Sequence, residues 1–159
     1  MQDTIDIAAG LASDSRLFTL RHEQAELVAG TQACQQAVLA PADCHGLDTA
    51  VRLALAHRIA VLNDDEALAR LYADSLHALA PDSPVLALAE GRSDMAEPFA
   101  GMARQADLAT MDNAAASERQ LAALEAAGLD RPQIVALSEL IAFVNYQCRI
   151  TAGLRLLKE

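Results

Sequence analysis

The sequence predicts an all-α fold, a multi-helix bundle, and three observations support this prediction. Hydrophobic residues make up 53% of the 159-residue chain, yet aromatic residues make up only 3% and Trp is absent. Ala and Leu, which favour helices, are abundant, whereas the residues that favour strands are sparse. Apolar residues recur at helical spacing between capping residues, Gly and Pro. A chain of this length is typical of one domain, which we expect over residues 1–159.

The first two helices are predicted from caps and breakers. Asp14 or Ser15 is expected to cap a short helix. A longer helix is expected over 23–39, because Pro41 cannot continue it. Its inner side is expected to carry Leu27, Cys34 and Val38 together with small residues.

The third helix is expected to be the central one. Residues 41–46 have the Pro, Asp and Gly content of a loop, and Asp48 or Thr49 then caps a helix over 50–62. Its apolar residues are spread around most of its circumference. A helix of this kind is typically buried on all sides.

The remaining helices follow from further breaks in the pattern. Asn63 is expected to end the third helix and Asp64 to cap the fourth, over 65–80, before a break at 81–84. Pro132 is expected in the first turn of the last and longest helix. The later helices are expected over 85–90, 97–110, 117–127 and 131–157.

Charge and cysteine content exclude several classes of protein. The formal net charge is −10, with 22 acidic and 12 basic residues. Because phosphate binding needs clustered Lys and Arg, we expect neither nucleic acid nor a membrane surface as a partner. The three cysteines lack C-x-x-C spacing, and the N-terminus lacks the pattern of a signal peptide, so a cytoplasmic location is expected.

A polar stripe runs along the last predicted helix. Ser138, Asn145 and Arg149 are spaced so that they return to nearly one side of a helix. One interpretation is a small polar pocket in which Arg149 binds a carboxylate or another anion. The other is that these side chains bond to neighbouring helices or subunits, because a buried Arg requires a partner.

The histidines and cysteines offer few other candidates. His57, on the third predicted helix, is either a general acid or base or a hydrogen-bonded core residue. The histidines lack the spacing of zinc ligands, so no metal and no cofactor is expected. Cys44 and His45 are adjacent in a loop and are not expected to form a nucleophile–base pair, while Cys34 and Cys148 are expected in the core.

A short internal similarity links two of the predicted helices. Residues 59–63 and 141–145 share the pattern I-A-x-x-N. Five residues of an Ala-rich helical protein can match through duplication or by chance, and the sequence leaves both explanations open.

Two stretches taken together resemble a known superfamily. The first is residues 48–63, and the second combines L-x-x-A-G-L at 124–129 with L-I-A-F-x-N-x-x-x-R at 140–149. Both are similar to the carboxymuconolactone decarboxylase and alkylhydroperoxidase D (AhpD) superfamily, above all to its peroxidase-related branch of CMD domain proteins. The resemblance implies an AhpD-like helical bundle that forms homo-oligomers, with a core over 48–159 and an N-terminal helical extension over 1–47.

The resemblance also implies where a peroxidase site would lie. In the peroxidase members a Glu precedes a C-x-x-C pair at the start of a helix, and a His follows the second Cys by four residues. Aligned from Asn63, the Cys positions fall on Asp65 and Leu68, the His position on Tyr72 and the Glu position near Leu53. Every catalytic position is altered, so the thiol chemistry of the peroxidase members is not expected here.

Two functions follow from the resemblance as expectations. The first is a peroxidase-related protein without the redox thiol pair, a non-redox partner or scaffold in hydroperoxide handling. Its partner would be a thiol-bearing alkylhydroperoxidase-domain protein. The second is a cysteine-independent enzyme acting on a small carboxylic acid, as the decarboxylase members do. In that enzyme Arg149 would hold the carboxylate and His57 would move a proton.

Overall fold

The computed structural model describes residues 2–92, 94–113 and 117–158. These residues form nine helices with connecting loops and contain no strand. This confirms the predicted all-α class. In chain order the helices are α1 (Thr4–Ala9), α2 (Arg16–His22), α3 (Ala25–Leu39), α4 (Thr49–Leu62), α5 (Glu66–His77), α6 (Ser83–Ala89), α7 (Phe99–Met111), α8 (Glu118–Ala126) and α9 (Arg131–Lys158).

Helix α4 is the central helix, as its apolar composition predicts. Asp48 caps it by accepting a hydrogen bond from the Val51 backbone N–H at 2.9 Å. Helix α4 contacts α3, α5, α6, α7 and α9. Small residues of α4 are fully buried and let these neighbours approach closely: Ala54, Ala56 and Ala60.

Helix α9 is the longest and connects most of the bundle. It contacts α4, α7 and α8 and also the three N-terminal helices. Pro132 lies in its first turn, where a backbone N–H would have no helical partner. In the described ranges no helix combines the length and the apolar character that crossing a bilayer requires.

Helix α1 is missing from the sequence-based prediction. Asp3 and Asp6 form a capping box, in which each carboxylate accepts the backbone N–H of the other residue, at 2.8 and 3.1 Å. Ile5 is buried, and α1 contacts α5 and α9. Arg21 of α2 donates to both carboxylates at 2.7 Å, which fastens α2 to α1. Six residues are too few to show a helical period in the sequence.

Helix α3 has the predicted position but not the predicted burial. Among its expected inner residues, Val38 is buried, whereas Leu27 is 68% exposed and Cys34 is exposed. The prediction is wrong for Leu27 and Cys34 because α3 buries only Val38 and Leu39, at its C-terminal end. The rest of this apolar helix faces outward.

The turn between α4 and α5 also differs from the prediction. Asp65, not Asp64, caps α5, and Asp64 takes a left-handed conformation with φ 55°. An Asp tolerates this conformation better than most residues. Helix α5 ends at His77 rather than at residue 80, and Ala80 has φ 48° before Pro81. A residue that precedes proline is disfavoured in a helix.

Candidate functional site

The positions that the resemblance gives to a thiol pair lie at the start of α5. Asp65 is 2% exposed, and its Oδ1 atom accepts hydrogen bonds from the Leu68 N–H at 3.1 Å and from Arg155 at 2.6 Å. Arg155 also donates to the Ala8 carbonyl at 3.0 Å, so this pair ties α5 to α9 and α1. Leu68 is fully buried, and Leu53 of α4 is buried as well. The arrangement is a helix cap joined to an ion pair.

Tyr72, at the His position of the resemblance, belongs to a chain of polar side chains that begins in the core and ends at partly buried residues. Its hydroxyl donates to Gln147 Oε1, and the Gln147 amide donates to Gln35 Oε1 at 3.0 Å. Gln35 in turn donates to Thr4 Oγ1 at 2.9 Å. Burial raises the pKa of Tyr72, so its hydroxyl stays protonated at neutral pH. The chain of hydrogen bonds links α5, α9, α3 and α1.

The three cysteines are free, and only Cys148 is buried. Burial, together with the nearby charge of Asp65, raises the pKa of the Cys148 thiol to about 12. At neutral pH this thiol is protonated, and a protonated thiol is a poor nucleophile. The prediction that Cys148 lies in the core is confirmed, and the same prediction is wrong for Cys34.

Three of the histidines make hydrogen bonds or ion pairs with nearby groups, and His22 Nε2 lies 2.8 Å from the carboxylate of Asp6. His57 Nδ1 donates to the Ala69 carbonyl at 2.9 Å and so joins α4 to α5. His45 Nδ1 lies 3.5 Å from the carboxylate of Asp43. Such contacts are typical of histidines that position helices and turns, and a catalytic role for His57 stays a prediction.

The polar stripe of α9 lines a pocket between α7 and α9. Ser138, Asn145 and Arg149 all contribute to this pocket, which has a volume of about 350 Å³. Arg149 is exposed at this pocket, and His57 is not among the lining residues, so these two side chains do not share it. The other lining residues are Gln105, Ala109, Asn113, Ile141 and Ala142.

Asn145 also joins two helices through an asparagine pair. Asn63 Nδ2 donates to Asn145 Oδ1 at 3.0 Å. Each amide also donates, at 2.9 Å, to the carbonyl four residues earlier, that of Ile59 or Ile141. The two I-A-x-x-N segments therefore meet where α4 contacts α9. Asn145 fits the interpretation in which the stripe bonds to neighbouring helices.

Arg52 is a buried residue that the sequence patterns do not single out. It lies on α4, is 2% exposed and donates to three carbonyls, those of Leu47 at 2.6 Å, Val38 at 2.8 Å and Cys44 at 2.9 Å. Burial lowers the pKa of its guanidinium. The only signal in the sequence is a charged residue within an apolar helix. Arg52 holds the α3–α4 connection against the core.

An apolar groove separates α3 from α9 on the surface. Its volume is about 680 Å³, and it is lined by eleven residues, seven from α3 and four from α9. Leu27 is 68% exposed and Tyr146 is 42% exposed. We call this set of residues the α3–α9 groove, and the members used below are Glu26, Leu27, Gly30, Glu139, Ala142 and Tyr146.

The chain matches no protein-family model and no curated protein sequence. Over the described residues, His, Cys, Asp and Glu side chains form no group of three or more that could hold a metal ion. The residues that can carry a function therefore lie in three places: the start of α5, the pocket between α7 and α9, and the α3–α9 groove.

Proposed function

We propose that the chain is a peroxidase-related protein of the AhpD/CMD type that lacks the redox thiol pair and acts as a non-redox partner or scaffold in hydroperoxide handling. The observation that carries this proposal is the structure at the start of α5. Asp65 pairs with Arg155 and caps the helix, and Leu68 lies in the core. Neither side chain can attack a peroxide or form a disulfide, which the reaction of the thiol-bearing members requires.

The sulfur atoms present elsewhere support the same proposal. Peroxide reduction needs an accessible thiolate with a lowered pKa. Cys148 has the opposite properties, because it is buried and its pKa is raised to about 12. Cys34 and Cys44 are exposed, but Cys34 lies on α3 and Cys44 in the connection after it, with nine residues between them in the sequence. They therefore do not have the C-x-x-C spacing of the redox pair in the peroxidase members.

A partner or scaffold role requires a surface, and the α3–α9 groove supports this part of the proposal. Its exposed apolar side chains, Leu27 and Tyr146 among them, are adjacent rather than scattered. Contiguous apolar surface on a soluble domain often marks a contact with another molecule.

Hydroperoxide turnover by the purified chain tests the absence of thiol chemistry. With an organic hydroperoxide and a dithiol donor, we expect no reduction above the rate of the donor alone. Turnover that is lost on replacement of Cys34, Cys44 or Cys148 by Ser would contradict the proposal, and so would turnover that survives all three replacements. The partner role predicts that the chain binds a thiol-bearing alkylhydroperoxidase-domain protein, measured by co-sedimentation.

A second function is favoured by the pocket between α7 and α9. None of its eight lining residues is acidic, although the chain has 22 acidic residues. Arg149 lies there beside the amides of Gln105 and Asn113, and these groups together can donate to a carboxylate. The alternative proposal is therefore a cysteine-independent enzyme acting on a small carboxylic acid, with Arg149 as the carboxylate-binding residue.

Calorimetric titration with a small dicarboxylate such as succinate tests this alternative. We expect binding that is lost in Arg149→Gln and retained in Arg119→Gln, a matched change at an exposed arginine outside the pocket. Equal affinity of both variants would remove Arg149 from the proposal. His57 lies outside the pocket lining, so its role as a proton carrier lacks this geometric support.

A further inference from the structure

Helix α3 exposes an unusual surface for a helix in water. It has 15 residues and buries only Val38 and Leu39. Glu26 is nevertheless its only charged residue. A surface helix typically carries several charged residues on its solvent side. The exposed positions of α3 instead carry small and apolar residues together with the uncharged Gln32 and Gln36, which indicates that another molecule covers part of this side.

Helix α9 continues this surface on the other side of the groove. Val135, Tyr146 and Ile150 are 57%, 42% and 37% exposed. Together with Glu139 and Ala142 they follow the three- and four-residue spacing of one helix side. The two helices therefore present one connected apolar surface, with the α3–α9 groove along its middle.

The charges at the groove define which partner fits it. Its lining contains two carboxylates, Glu26 and Glu139, and no Lys, Arg or His. The whole chain has a net charge of −10. A second copy of the chain would bring the same carboxylates and the same net charge to the contact. Complementary charge favours a partner that carries cations beside its apolar side chains.

The shape of the groove fits a helix. It runs between two helices, and its α3 side extends from Glu26 to Val38, which is about 20 Å or between three and four helical turns. At Gly30, an added Cβ would meet no atom within 4 Å, so the wall is open there and a partner backbone can come close. Amphipathic helices bind to apolar grooves of this kind through residues spaced by three and four.

We propose that the α3–α9 groove binds a basic amphipathic helix of a partner protein. The apolar side of that helix lies on Leu27, Ala142 and Tyr146, and its Lys or Arg residues pair with Glu26 and Glu139. This inference rests on the proposed partner function and names the chemistry of the partner.

A synthetic 18-residue amphipathic helix of Leu and Lys, labelled for fluorescence anisotropy, is the probe. The groove variant combines Glu26→Gln with Glu139→Gln. The control variant combines Glu66→Gln with Glu118→Gln at exposed positions outside the groove, so both double variants have the same net charge. We expect the groove variant to bind about fivefold more weakly, since each rim ion pair contributes modestly, and the control to bind like the native chain. A peptide of the same length and pattern with Glu in place of Lys is expected not to bind.

Leu27→Ser tests the apolar contact separately. Leu27 is 68% exposed, so its replacement leaves the core intact, and we expect roughly tenfold weaker binding of the Leu/Lys peptide. Equal affinities for the groove and control variants would overturn the inference. Sedimentation that shows a dimer dissociated by Leu27→Ser would also overturn it, because the occupant is then a second copy.

The failure of this inference can be told apart from failure of the proposed function. The peptide titration contains no peroxide, and the hydroperoxide assay contains no peptide. If the chain neither reduces peroxide nor binds the peptide in the groove, the inference about the groove is rejected and the proposed function is not. If the chain binds the peptide and also reduces hydroperoxide through its cysteines, the proposed function is rejected and the inference about the groove is not.

Discussion

Asp65 shows how one residue can hold several helices and exclude a redox role at the same position. Its carboxylate caps α5 and pairs with Arg155, which in turn donates to the carbonyl of Ala8. Oδ2 of Asp65 is buried and makes no hydrogen bond within the described part of the chain. A buried carboxylate of this kind is costly unless its charge is compensated, so Arg155 is required for its stability.

Replacing Asp65 by Asn is expected to lower the free energy of unfolding by about 1–3 kcal/mol. The amide oxygen can still cap α5, but the charge that compensates Arg155 is removed. Urea denaturation measures the loss, and Asp64→Asn at the exposed neighbouring position is the control. Equal losses in the two variants would show that the ion pair contributes nothing.

The thiol of Cys148 provides a second test at the scale of one residue. At neutral pH we expect iodoacetamide to label Cys34 and Cys44, which are exposed, and to spare Cys148 until the chain unfolds. Mass spectrometry of the labelled peptides checks this. Rapid labelling of Cys148 in the native chain would contradict its burial.

The pKa of Cys148 also predicts a dependence of stability on pH. In the folded chain this pKa is raised from 9.0 to about 12, whereas unfolding returns it to its ordinary value. The contribution to stability is therefore complete below pH 9 and is lost as the pH rises toward 12, since the unfolded chain releases the proton first. Cys148→Ala is expected to lose less stability over this range in denaturation measured at several pH values.

At the scale of the helices, α3 and α4 show where sequence patterns succeed and where they fail. Both are rich in apolar residues, and the sequence predicts both at nearly their observed positions. Helix α4 is buried on most sides, whereas α3 is buried only at one end. The periodicity of a helix indicates that it has an apolar side, but it does not indicate whether that side contacts the same chain or another molecule.

The connection between α3 and α4 depends on Arg52. Replacing Arg52 by Met leaves three carbonyls without their donor, and we expect a loss of about 3 kcal/mol in the free energy of unfolding. Faster proteolysis within residues 40–48 is expected as well. Arg70→Met on the exposed side of α5 is the control and should change neither measurement.

At the scale of the whole molecule, the homo-oligomer expected from the resemblance remains a prediction. The end of α9 offers a surface for it outside the α3–α9 groove, because Leu156 and Leu157 are 75% and 72% exposed. Burial of each leucine side chain between subunits contributes about 1.5–3 kcal/mol to the free energy of association. The two leucines together therefore contribute several kcal/mol.

Replacing Leu156 and Leu157 by Ser is therefore expected to shift sedimentation toward the monomer. The fold should be retained, since neither side chain belongs to the core. Leu27→Ser, in the α3–α9 groove, should leave the assembly unchanged. A native chain that sediments as a monomer at micromolar concentration would contradict the prediction of an oligomer.

The candidate site was only partly predictable from the sequence. The spacing of Ser138, Asn145 and Arg149 predicts that they share one side of a helix, and they line one pocket. The spacing does not show that Asn145 is bonded to Asn63 on another helix. Neither does it show that His57 bonds to Ala69 instead of lining that pocket. Periodicity describes one helix, while these contacts depend on how two helices pack.

The sequence by itself determined the helical class, the central position of α4 and most helix ends, because propensities, caps and helix-breaking residues act over a few neighbouring positions. It also determined that no cysteine lies at the start of α5. Only the tertiary structure decided that Arg155 compensates Asp65, that Arg52 is buried and that α3 faces outward. These features depend on residues far apart in the chain, whose distances are set by packing and not by local conformational preference.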